Sequence, residues 1–137
     1  MLSPTTTTIR LAIHILAATI WVGGQFALAG VVPTLRSTAP DAIKPAARAF
    51  ARLAWPAFVV LVVTGVWNLT AVHLSETSTE YQITVFVKIT LAIASGAFTL
   101  VHQLGRTKVA LALGGALGAV TALAALFLGV LLRTGTN

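Results

Sequence analysis

Four stretches of the chain, about 9–33, 53–73, 82–104 and 109–132, stay apolar over the roughly 20 residues that a membrane-crossing helix needs. Polar residues inside them recur at helical spacing rather than alternating as in a half-buried strand. In 81–104, Tyr81, Thr84, Lys88, Ser95, Thr99 and His102 fall on one face of a helix. The pattern predicts an all-α, polytopic membrane protein: a four-transmembrane-helix bundle forming a single domain over 1–137, with a short amphipathic interfacial helix between helices 1 and 2. That extra helix is read from Asp41 onward, where Ile43, Ala47, Phe50 and Leu53 share one face and Lys44, Arg48 and Arg52 another. Pro45 would sit in its first turn, where proline is tolerated. Pro33 and Pro40 mark the expected exit from the first span, and the threonine-rich residues 1–8 read as a frayed end.

Composition agrees with this class. Hydrophobic residues make up 57% of the chain and charged residues 9%, and the mean hydropathy of +0.93 lies far outside the soluble range. Ala27-Leu28-Ala29 looks like a signal-peptidase site, but the apolar run is longer than a signal core and Arg10 is its only early positive charge, so we read a retained helix. There is no cysteine, and the one methionine is residue 1, so soft sulfur ligands for a metal are essentially absent.

The net charge of +6 matters less than where it lies. With four spans, the first and third loops share a side and hold Arg36, Lys44, Arg48, Arg52, Arg106 and Lys108. The opposite side has Arg10 and Arg133 with Glu76 and Glu80. The positive-inside rule then puts both termini outside the cytoplasm, in the cell inner (plasma) membrane. The basic residues are a topology signal, and nucleic acid is not expected as a partner. The bilayer is, together with a second copy of the chain or a larger membrane complex.

A few residues stand out against the apolar background. Lys88 is an ammonium group inside a span, costly enough to suggest a site, although a long side chain so near the helix start can also snorkel toward the interface. His14 lies about one and a half turns into the first span, with Ala18, Trp21 and Gln25 continuing its face and Gly23-Gly24 leaving room for another backbone to approach. His14 and Lys88 stand at similar depth in the outer half. His102 is fourteen residues beyond Lys88, roughly 21 Å along a helix at 1.5 Å per residue. Two axial ligands of one haem stand about 4 Å apart, so His14 and His102 of one subunit do not share one. An outer-half haem would pair His14 with Lys88 or with His73. Equally, a buried histidine can simply bond a neighbouring helix, and Ser95 and Thr99 read as interhelical glue. In the second span Thr64 and Asn68 share a face, with Trp55 and Trp67 toward its two boundaries. In the fourth span Gly114, Gly118, Ala122, Ala125 and Gly129 form a smooth face for close packing.

The run His14-Ile-Leu-Ala-Ala-Thr-Ile-Trp21-Val-Gly23-Gly24 resembles the first-helix signature of the CopD-like copper-resistance membrane proteins. Arg48-Ala-Phe-Ala-Arg52, leading into a helix with Thr64-Gly65, and then Lys88 early in the third helix, fit the same pattern. Related features occur in the HemJ-type protoporphyrinogen oxidases, small helical membrane proteins with a first-helix histidine and a later lysine near a haem. The CopD-like resemblance implies copper binding or transport, with His14 and His102 as metal ligands. The HemJ-like resemblance implies haem b or a related tetrapyrrole at His14 and Lys88, with Trp21 packing nearby. If the protein is an enzyme, it implies a membrane oxidoreductase of that type. The expected function is tetrapyrrole binding in the outer half of the bundle, extending to a redox role. Copper handling and a structural or accessory role in a membrane complex are the alternatives.

Overall fold

The computed structural model describes residues 3–135. Its elements are helix α1 (Thr6–Ala18), a π-helical turn (Thr19–Gly23), α2 (Gly24–Thr38), a 3-10 turn (Pro40–Ala42), α3 (Ile43–Thr70), a second 3-10 turn (Leu74–Glu76), α4 (Thr79–Leu104) and α5 (Lys108–Thr134). Four helical runs among the described residues are long and apolar enough to cross a membrane: Thr6–Thr38, Pro40–Thr70, Thr79–Leu104 and Lys108–Thr134. The all-α class is as expected, and this is a multi-pass membrane protein. The chain divides into two compact units, Met1–Val72 and His73–Asn137, each an antiparallel helical hairpin.

The helices are longer than hydropathy alone marks out, for local reasons. At the start, Thr5 caps α1: its hydroxyl accepts from the Thr8 amide, and Thr8 in turn bonds the Thr5 amide. The expected frayed end is thus an ordered, capped helix from Thr6, while residues 1 and 2 lie outside the described residues. Pro33 does not end the first span, because it lies inside α2, which continues to Thr38. A proline there removes one backbone donor but not the turns beyond it, and membrane helices accommodate the loss. The amphipathic segment after Asp41 is helical, but it is not the separate interfacial helix expected: Ile43–Thr70 is one continuous helix, so the segment forms the start of the second span.

In the N-terminal hairpin α1 packs along α3. Trp21, 2% exposed, lies with its ring centroid 5.4 Å from that of Trp55 and 4.4 Å from that of Phe58. Such aromatic pairs contribute about 0.5–1.5 kcal/mol each beyond their buried area. The π-helical turn Thr19–Gly23 is centred on Trp21. Its widened geometry disturbs the regular ladder, and the Gln25 side chain donates to the Trp21 carbonyl at 3.1 Å. Gly24 is filled by the Phe50 ring rather than by an approaching backbone, and nothing lies within 4 Å of a side chain placed at Gly23.

In the C-terminal hairpin, Ser78 and Thr107 cap α4 and α5 by accepting from the Tyr81 and Ala110 amides. The polar stripe of α4 meets the small-residue face of α5. Gly114, Gly118, Ala122 and Ala125 are the buried residues of α5. Ser95, 1% exposed, donates to the Gly118 carbonyl at 3.0 Å. A Cβ at Gly118 would come 3.0 Å from the Thr99 hydroxyl, and one at Gly129 would come 3.2 Å from Lys88 Nζ. Outward, both hairpins present large apolar side chains, such as Val63 at 60% exposure and Phe127 at 63%. Water would penalise such faces, and lipid does not.

Candidate functional site

The most developed polar arrangement lies between α1 and α3. His14 Nδ1 is 2.8 Å from Thr64 Oγ1, and Thr64 is 4% exposed. The Thr64 hydroxyl has one proton, and Oγ1 lies 2.7 Å from the Val60 carbonyl and 3.2 Å from the Leu61 carbonyl. Carbonyls only accept, so that proton points back into α3 and Oγ1 accepts from His14. Nδ1 therefore carries the imidazole proton, and the lone pair of the neutral ring is on Nε2. A histidine held by its Nδ1–H in this way is the usual form of a metal-binding histidine, whose orientation and tautomer come from the partner of the other nitrogen.

The imidazole packs closely on α3. Gly65 follows Thr64, and a Cβ there would lie 3.6 Å from His14 Cε1, so the imidazole faces bare backbone at that point. Trp21 is seven residues beyond His14, two turns along the helix, inside the hairpin core with Trp55 and Phe58. One turn the other way is a second contact between the same two helices. The Arg10 guanidinium carbon sits 5.9 Å from the Trp67 ring centroid, and Arg10 is only 9% exposed. From sequence Arg10 reads only as a topology charge, although its spacing of four from His14 already places the two on one face.

Lys88 and His102 belong to the C-terminal hairpin, where each packs against α5. Lys88 extends over Gly129, and the missing side chain makes room for its chain end. His102 Nδ1 donates to the Leu111 carbonyl at 2.6 Å, so its lone pair is also on Nε2. Its ring lies against Gly115, where a Cβ would come 2.9 Å from Nδ1. At 1.5 Å per residue Lys88 and His102 are roughly 21 Å apart along α4. His73 lies outside the helices, just before the 3-10 turn Leu74–Glu76. Among the described residues, no three of His, Cys, Asp and Glu gather where they could hold a metal ion.

No family model, curated protein or solved structure matches this chain. Function is accordingly read from side-chain chemistry.

Proposed function

We propose that this membrane protein binds haem b or a related tetrapyrrole, with His14 Nε2 as an axial ligand to the iron. The observation that carries the reading is the relay His14 Nδ1–H to Thr64 Oγ1 to the Val60 carbonyl, which fixes both tautomer and ring orientation. Bound haem would supply a one-electron couple, and a redox role follows from it. The HemJ-like resemblance implies the same ligand and the CopD-like one implies copper. Two features favour the tetrapyrrole. A porphyrin brings four equatorial nitrogens and asks the protein for one or two axial groups, whereas copper held by side chains wants several ligands together. The chain has no cysteine and the described residues hold no three-ligand cluster. Trp21 packs on Trp55 and Phe58 of α3 two turns away.

The test is a titration of the detergent-purified protein with haemin and, separately, with copper. The reading predicts a Soret shift that saturates at one haemin per chain, and no histidine-dependent copper uptake. Stoichiometric copper bound through His14, with no Soret shift, would replace it with the copper reading.

We further place the protein in the cell inner membrane with both termini extracytoplasmic. The turn joining α2 to α3 is flanked by Arg36, Lys44, Arg48 and Arg52, and the one joining α4 to α5 by Arg106 and Lys108, the distribution that cytoplasmic loops carry. Because the chain has no cysteine, single introduced thiols report topology cleanly. A charged, impermeant maleimide is expected to label Ser75→Cys in intact cells and Ser37→Cys only after lysis; the reverse pattern inverts the topology.

A further inference from the structure

Arg10 is a buried cation whose guanidinium is incompletely satisfied. It is 9% exposed, and its Nε is a buried donor with no hydrogen-bond partner among the described residues. The contact with the Trp67 ring attracts the positive charge but accepts no N–H in the guanidinium plane. Neutralisation within the hairpin is ruled out by sequence. Its one acidic side chain is Asp41, which lies in the 3-10 turn at the opposite end, between α2 and α3. A buried cation with an unsatisfied donor and no counter-charge in its hairpin is costly, and more so at the edge of a bilayer. The planar fork of arginine suits an oxyanion, either carboxylate or phosphate.

The position of Arg10 indicates which oxyanion. On α1 it precedes His14 by four residues, so it stands on the same face, about 6 Å nearer the helix start. On α3, Trp67 follows Thr64 by three residues. The pairs His14–Thr64 and Arg10–Trp67 are therefore successive contacts between the same two helices, with the metal-type imidazole deeper and the cation nearer the end of the span. A tetrapyrrole with acidic side chains lies in a membrane in that order, its metal and apolar ring inward and its carboxylates toward the interface.

We propose that Arg10 holds a carboxylate of the tetrapyrrole ligated by His14, which makes the ligand an acidic porphyrin rather than an esterified or neutral one. This rests on the haem reading above. Trp67 keeps the guanidinium in place, and Nε–H is among the donors that the carboxylate accepts. Phosphate from a lipid headgroup has the same chemistry, and the experiment separates the two sources.

The experiment compares haemin with its dimethyl ester, in which iron and ring are intact and both carboxylates are blocked. Each is titrated into the detergent-purified full chain, as wild type, Arg10→Met and Arg10→Lys. Wild type is expected to prefer the free acid by about tenfold or more, the size of a charge-assisted hydrogen bond. Arg10→Met should bring the preference close to one, with Arg10→Lys in between. Each preference is a ratio within one variant, so a loss of folded protein cancels. An equal preference in wild type and Arg10→Met overturns the proposal while the Soret shift and the haem reading stand; a preference that Arg10→Met abolishes only when anionic lipid is added to the detergent assigns Arg10 to lipid phosphate instead and overturns it too. Absence of any His14-dependent Soret shift with either compound overturns the haem reading and this proposal with it.

Discussion

If His14 holds a haem iron as proposed, Thr64→Val is expected to lower haem affinity about 10–100-fold, the usual effect of removing the group that orients a metal-binding histidine, and His14→Ala to remove the ligated spectrum altogether. Valine matches threonine in shape but offers no acceptor, so His14 Nδ1–H loses the oxygen at 2.8 Å. The ring is then free to turn or change tautomer, and Nε2 is no longer held as the lone-pair nitrogen. The interhelical bond itself is small, about 0.6–2 kcal/mol, so the hairpin stays folded and the change is read in affinity. Thr64→Ser keeps the oxygen and should bind nearly as wild type. The measurement is a haemin titration of the four proteins followed at the Soret band. Equal affinity of Thr64→Val and wild type would show that the relay does not orient a ligand.

Gly114→Leu is expected to cost the C-terminal hairpin at or above the upper end of the usual 1–3 kcal/mol for overpacking. A Cβ at this position would come 2.6 Å from the His102 amide nitrogen, 2.9 Å from the Phe98 carbonyl oxygen and 3.0 Å from His102 Cα. All three are backbone atoms, so no rotamer change relieves the overlap and α4 and α5 must separate. Gly30→Ala serves as control, since nothing lies within 4 Å of its added carbon, and it should be no less stable than wild type, alanine being favoured over glycine inside a helix by up to about 1 kcal/mol. Thermal unfolding in detergent, followed by far-ultraviolet circular dichroism and by loss of the monodisperse elution peak, gives both values. A Gly114→Leu protein as stable as the control would mean that the helices do not approach this closely.

The number and class of the helices were legible because twenty-residue apolar runs have few other uses, and the small face of α5 was legible because close packing selects glycine and alanine. The polar stripe of α4 was legible too, but its partner was not. Which glycine lies under Lys88, and which carbonyl meets Ser95 or His102, depends on the register of two helices, which periodicity on either one leaves undetermined. The same holds for His14. The sequence marks it and Thr64 as polar positions on separate helices, and only the packed hairpin brings residues 50 apart in the chain to a hydrogen bond. The π-helical turn had no sequence signal, since Thr19–Gly23 reads as ordinary helix and its geometry accompanies the packing of Trp21 on α3. Arg10 was hidden by its position near the helix start, where a positive charge reads as exposed.

The central claim is that His14 is built to hold the iron of a tetrapyrrole. Its most direct test is the absorption spectrum of the protein purified in detergent from cells supplied with haem, recorded oxidised and then reduced with dithionite. The account predicts a Soret band and sharpened bands on reduction, both absent from His14→Ala prepared in parallel. A featureless spectrum, or bands unchanged by His14→Ala, would contradict it.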